Sequence, residues 1–178
     1  MQNVKVYPLI NKEEIEKKIS ELAEKISTDY KNKDLVLVCI LKGAWIFMAD
    51  LVRKLTIPVK CDFLGVSSYG SGTESSGVVR ILSDLTIPVE GKDVLIIEDI
   101  VDTGLTLKYI KDLLLQRKPK SVKICALLDK PARHKIEVDI DYLGFTIPNK
   151  FVVGYGIDFD ERFRNLPYIG YIEFEEKG

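Results

Sequence analysis

The stretch Val94-Leu95-Ile96-Ile97-Glu98-Asp99-Ile100-Val101-Asp102-Thr103-Gly104-Leu105-Thr106 decides the fold. Val94 to Ile97 is an unbroken apolar run, which reads as a strand covered on both faces, because a strand with one wet face alternates instead. Two carboxylates break the run, and a turn containing Thr103 and Gly104 leads into a helix carried by Leu107, Ile110, Leu113 and Leu114 and ending near Pro119. A buried strand feeding directly into a helix is the unit from which parallel sheets are built.

Working outward, the same grammar recurs. Leu35 to Leu41 is a second continuous apolar strand, interrupted by Lys42 and Gly43. Ala44 to Leu55 is apolar around most of its circumference, as a helix packed inside an α/β layer would be, and Trp45 is expected in its core beside Ile46, Phe47 and Met48. Val59 to Ser68, Val78 to Leu82, Val122 to Leu128, Tyr142 to Phe145 and Phe151 to Tyr155 read as further strands, the last two linked through Pro148-Asn149. Ile15, Ile19, Leu22 and Ile26 form one apolar stripe among Glu and Lys, which predicts an amphipathic helix. Tyr69 to Gly77, rich in Gly and Ser, has no aliphatic anchor to offset its ordering entropy and is expected to be a mobile loop. The fold class is α/β, a mainly parallel twisted sheet flanked by helices.

The 178 residues suit one domain, and 46% apolar with 30% charged is the profile of a globular chain. Twenty-six Lys and Arg stand against 27 Asp and Glu, a net charge of −1, which argues against nucleic-acid binding through a clustered basic excess. Cys39, Cys61 and Cys125 are far apart among apolar neighbours and are expected as buried, reduced side chains, and no CxxC spacing suggests zinc. No apolar run approaches the ~20 residues of a membrane span, and Met1 to Asn11 lacks signal-peptide character, so a cytoplasmic location is expected.

In open parallel sheets, ligands bind beyond the carboxyl ends of the strands, which directs attention to Glu98 through Thr106. The backbone amides from Asp102 to Thr106 and the positive end of the following helix form an anion cradle, to which the Thr103 and Thr106 hydroxyls add donors. Gly104 allows close approach of the anion. Glu98 and Asp99, adjacent and so expected on different sides of the strand end, can accept hydrogen bonds from a vicinal diol or help hold Mg²⁺. The plainer alternative makes Asp102 a helix N-cap and Glu98 and Asp99 solvated charges. His134, the only histidine, lies in a basic loop and is expected at the surface, and Arg162 is expected as an exposed charge.

The whole string, an apolar strand followed by Glu-Asp-x-x-Asp-Thr-Gly-x-Thr, closely resembles the phosphoribosyl pyrophosphate (PRPP) motif of type I phosphoribosyltransferases. From about Leu35 to Tyr168 the chain resembles the hypoxanthine-guanine branch of that family, although Ala44 stands where many members have a second Gly. The resemblance implies a hood formed by the N-terminal segment and residues near 130–178, and Mg²⁺ held by Glu98, Asp99 and Asp158. It implies that Lys42 and Gly43 bind pyrophosphate, that Ser68 and Tyr69 begin a loop closing over the site, and that Asp102 through Thr106, Leu105 included, bind the ribose 5-phosphate. Lys130 would meet the exocyclic oxygen of a 6-oxopurine, Phe151 would stack on its ring, Val152 would read its edge, and Arg164 would clamp pyrophosphate. Asp102 would be the general base or acid at N7.

The expected reaction joins N9 of hypoxanthine or guanine to C1 of PRPP, giving IMP or GMP and pyrophosphate, in a homodimer or homotetramer that binds neither nucleic acid nor membrane. Three rivals are an RNA-binding attenuator on the same fold, a phosphoribosyltransferase for another base, and a structural protein. The even charge balance opposes the first, the Lys130 strand end combined with the Phe151 to Asp158 stretch opposes the second, and the carboxylate string opposes the third.

Overall fold

The structure, a computed structural model, describes residues 4–68 and 79–174. In chain order the described elements are β1 (Val4–Ile10), α1 (Lys12–Asp29), β2 (Leu35–Leu41), α2 (Trp45–Val52), β3 (Lys60–Ser68), β4 (Val79–Ser83) and β5 (Asp93–Val101). There follow α3 (Leu105–Leu115), β6 (Ser121–Asp129), a one-turn 3-10 helix (Pro131–Arg133), β7 (Tyr142–Thr146), β8 (Val152–Val153) and β9 (Ile169–Phe174). The expected loop from Tyr69 to Gly77 lies outside the described residues.

Among the described residues the main sheet has the order β4-β3-β2-β5-β6-β7. Its strands run parallel except β4, which pairs antiparallel with β3. The continuous apolar runs have a direct cause. Leu35, Leu37 and Cys39 face one layer with Ile15, Ile19 and Ile26 of α1 and Phe47 and Leu51 of α2. Val36, Val38 and Ile40 face the other, with Leu107, Ile110 and Leu114 of α3.

The topology itself locates a crevice. From β2 the chain crosses by α2 to β3 on one side, while from β5 it crosses by α3 to β6 on the other. β2 and β5 are neighbours, so their carboxyl ends flank the point where winding reverses. Pairing of β2 with β5 ends at Cys39 and Ile97, whereas β6 follows β5 as far as Val101 and Asp129. Glu98 and the residues after it therefore have a neighbour strand on one side and an opening on the other.

A separate three-stranded antiparallel sheet, β1-β9-β8, joins the two ends of the chain, with Val4 opposite Phe174 and Tyr7 opposite Tyr171. Neither β1 nor β9 is signalled in the sequence reading. Three expectations need correction. Trp45 is 50% exposed, because it opens the eight-residue α2 and the buried positions are Phe47, Met48 and Leu51. Cys61 is exposed while Cys39 and Cys125 are buried, and Phe63, two residues on and so on the same face of β3, is exposed as well. The strand expected over Phe151 to Tyr155 is only Val152–Val153, because Gly154, Tyr155 and Gly156 all adopt positive φ and a Gly154 N–H to Ile157 carbonyl bond turns the chain.

Candidate active site

Two cavities open at the crevice. One, about 290 Å³, is walled by Leu41 at the end of β2, Gly43 just beyond it, Glu98 and Asp99 of β5, and Asp102, Thr103, Gly104 and Thr106 of the turn. The other, about 330 Å³, is walled by Lys130, Asn149, Lys150, Phe151, Val152, Ile157 and Asp158. Ile100, Asp102 and Arg133 line both, so the cavities meet at Asp102.

In the first cavity the turn is built as its sequence requires. Gly104 is the N-cap of α3 at φ 84°, a left-handed conformation that suits glycine, and a β-carbon there would stand 2.7 Å from Val138 Cγ2. The cap makes no side-chain hydrogen bond, so Asp102 is not the N-cap of the plainer alternative. Thr103 is buried and accepts the Leu105 N–H at 3.4 Å, and Thr106 lines the wall, whereas Leu105 does not. The turn and the start of α3 thus line a cavity with room for a phosphate group, at the end of the helix whose dipole favours an anion.

Glu98 and Asp99, expected on different sides of the strand end, both line this cavity. Burial, and after it the Asp99 charge and a hydrogen bond to Asp99, push the Glu98 carboxyl well above its ordinary range. Burial, and then the charges of Glu98 and Asp99, raise the neighbouring Cys39 thiol to about 12, which leaves it unreactive. Asp99 abuts Gly43, which follows a cis Leu41–Lys42 peptide. The donor set fits a hard cation. Among the described residues no group of three or more His, Cys, Asp or Glu gathers to hold a metal, so Mg²⁺ here would keep waters and substrate oxygens as its other ligands.

In the second cavity, Lys130 directly follows β6, with its backbone N–H bonded to the Val101 carbonyl at 3.0 Å. The residue is buried, and that burial lowers its ammonium pKa, opposed by the attraction of Asp102 and reinforced by Arg133. Phe151 is 45% exposed, with its edge packed against Phe159 at 5.6 Å, and its carbonyl accepts the Ile172 N–H from β9. His134 is not the open surface residue expected, since its Nε2 lies 2.7 Å from Oδ1 of the buried Asp129.

Lys42 and Arg164 line neither cavity but are brought together through Glu161, a residue the sequence reading missed. Glu161 Oε2 lies 3.2 Å from Lys42 Nζ and 3.4 Å from Arg164 Nη2, which also meets Asp158 at 3.2 Å. Arg164 Nη1 donates to the Gly156 carbonyl at 2.8 Å, which fixes its direction. Arg162 is exposed, as expected, although it is not without interactions. Ser68 ends β3, and Tyr69 lies outside the described residues. Arg133, whose Nε donates to Asp102 Oδ1 at 3.1 Å, is the second site residue missed, and its place three residues after Lys130 is the only trace it leaves in the sequence.

A cradle at the switch point of a parallel sheet, with paired carboxylates on its wall, suits a phosphorylated ligand. The phosphoribosyl transferase domain model matches residues 9–160, and the chain belongs to that family. Its relatives narrow the kind. The chain is 50% identical over 165 residues to the hypoxanthine-guanine phosphoribosyltransferase of Bacillus subtilis, covering 93% of this chain and 92% of that one. It is 52% identical to the bifunctional protein TilS/HprT of Listeria monocytogenes, covering 94% of this chain and spanning about a quarter (26%) of that longer relative. The crystal structure of a hypoxanthine phosphoribosyltransferase from Staphylococcus aureus superposes with a TM-score of 0.91 at 49% identity, over 94% of this chain and 91% of that one.

Proposed function

We propose that this chain is a purine salvage enzyme that transfers the 5-phosphoribosyl group from PRPP to N9 of hypoxanthine or guanine, giving IMP or GMP and pyrophosphate. The observation that carries this reading is the convergence of Asp102, Lys130 and the exposed Phe151 ring on one cavity continuous with the phosphate cradle. A cradle alone would suit any phosphorylated ligand. A flat aromatic face with a cation and a carboxylate at its edges suits a purine carrying an oxygen and an N–H.

In the proposed reaction the base lies between Phe151 and Ile100, under a hood formed by the β1-β9-β8 sheet. Lys130 donates to O6, and the Val152 backbone reads the edge. The N9 lone pair forms the bond to C1, the C1–O bond breaks with its electron pair passing to pyrophosphate, and the N7 proton moves to a carboxylate oxygen of Asp102. Amides of the Asp102 to Thr106 turn hold the 5-phosphate. Glu98 and Asp99 orient the ribose hydroxyls, and Lys42, the Gly43 amide and Arg164 take up the charge of the departing pyrophosphate. Glu98 and Asp99 would hold Mg²⁺, and Asp158 a second ion, which would supply further neutralisation of that charge. The expected assembly is a homodimer or homotetramer, which light scattering on the purified protein checks.

The deciding experiment is an assay with PRPP and Mg²⁺ against hypoxanthine, guanine, xanthine, adenine and uracil. Nucleotide formation with hypoxanthine or guanine, abolished by a chelator and restored by Mg²⁺, is the expected result. Transfer only to adenine or uracil, or full activity in chelator, would refute it.

A further inference from the structure

Arg133 has no step in the reaction above, yet it touches the group on which that reaction turns. The Nε–H bond to Asp102 joins two half-exposed side chains, and the segment that carries Arg133 is unusually well tied down. The Lys130 N–H binds the Val101 carbonyl at 3.0 Å and the Lys135 N–H binds the Thr103 carbonyl at 2.9 Å, with the Arg133–Asp102 pair between them. On its far side the same segment is anchored by the His134–Asp129 contact. The guanidinium is therefore placed over Asp102 by the backbone on either side and not only by its own flexible stem. Both residues line both cavities, so the pair stands at the seam where the C1–N9 bond would form.

We infer that Arg133 is a positioning residue for Asp102, holding that carboxylate turned into the seam before the base arrives. This rests on Asp102 being the proton acceptor. Arginine holds its donors in a rigid fork and does not itself deprotonate, so the Nε–H can fix the direction of the carboxylate. The other charged side chains lining the two cavities are Lys130, Lys150 and Asp158 on the base side and Glu98 and Asp99 on the phosphate side. Lys130 is committed to the base, which leaves Arg133 as the cation bonded to the carboxylate.

The test is kcat and the KM values for hypoxanthine and PRPP, with Mg²⁺ present, for the unsubstituted protein and for Arg133→Met, Arg133→Ala and Arg133→Lys. The Met and Ala variants, which keep no donor, should lower kcat about tenfold or more with far smaller changes in both KM values, since a misplaced reacting group costs rate more than binding. Arg133→Lys, which keeps a donor, should recover most of the rate. Two neutral variants are used so that failure of one to fold leaves the other. An unchanged kcat in a folded neutral variant, a loss confined to KM, or a loss that lysine does not rescue, overturns the inference. Asp102→Asn, run alongside, separates the two readings. If it keeps the full rate, the proton-acceptor role falls. If it loses the rate by about 10²-fold while the neutral Arg133 variants behave as the unsubstituted protein, the role of Arg133 alone falls.

Discussion

Gly43 lies so close against Asp99 that a β-carbon on it would stand 1.8 Å from Asp99 Oδ2. The residue after the cis peptide and the second carboxylate of β5 thus occupy adjoining space, and neither can change size without moving the other.

Gly43→Ala should act through that contact. The obstructing atom is the end of a short side chain, so Asp99 can rotate away at a cost of about 0.5–1.5 kcal/mol. Thermal stability should change little, while PRPP affinity falls about tenfold or more because Asp99 has left its place. Gly156→Ala is the contrasting case. There the new β-carbon would meet the Gly43 carbonyl oxygen at 2.3 Å at a φ of +99°, a backbone clash with no such escape. A stability loss of about 1–3 kcal/mol is expected. Calorimetry and titration with PRPP on both variants distinguish the two effects.

Lys130→Met keeps the buried stem and removes the charge. Hydrogen bonds to charged groups contribute about 1.5–3 kcal/mol, so the KM for hypoxanthine should rise at least tenfold with a far smaller change in the KM for PRPP. Equal changes in both constants would show that Lys130 does not address the base.

Arg164→Ala removes a side chain held by the Gly156 carbonyl and by Asp158 and Glu161. Pyrophosphate and PRPP should bind more weakly while nucleoside monophosphate, which lacks the pyrophosphate, binds nearly as before. Calorimetric titration with each ligand reads the difference directly.

Glu98 gives a pH prediction with a definite sign. Burial first, and then the Asp99 charge, raise its carboxyl pKa in the folded state above that in the unfolded chain. A carboxyl raised on folding contributes stability that is fully present below the unfolded pKa and is lost as pH rises through the folded one. Glu98→Gln cannot ionise, so in chelator its melting temperature should gain on that of the unsubstituted protein as pH rises from 4 to 8. A constant difference across that range would contradict the assignment.

How much of this was legible in the sequence follows from which interactions are local. The runs over Leu35 to Leu41 and Val94 to Ile97 announce strands because both faces are buried, and the residues after each run are placed at the crevice by topology alone. β1 and β9 were silent because each is only partly buried and is a strand chiefly by virtue of the other, at the opposite end of the chain. Trp45 and Cys61 were misread because exposure depends on what covers an element, which apolar character alone does not reveal. Glu161 and Arg133 were missed for a related reason. Each gains its position from a charge far along the chain, Lys42 and Asp102 respectively, and an exposed-looking Glu or Arg carries no mark of its partner.

The pairing of Val4–Ile10 with Ile169–Phe174 governs the order in which the molecule can be assembled. A chain emerging from the ribosome carries all of the main sheet before Ile169 appears, and until then Val4–Ile10 has no neighbour to bond. Phe151 depends on the same late arrival, since its carbonyl is held by Ile172. The sugar-phosphate half of the crevice can therefore be complete in a nascent chain while the aromatic wall for the base still awaits Ile169–Phe174.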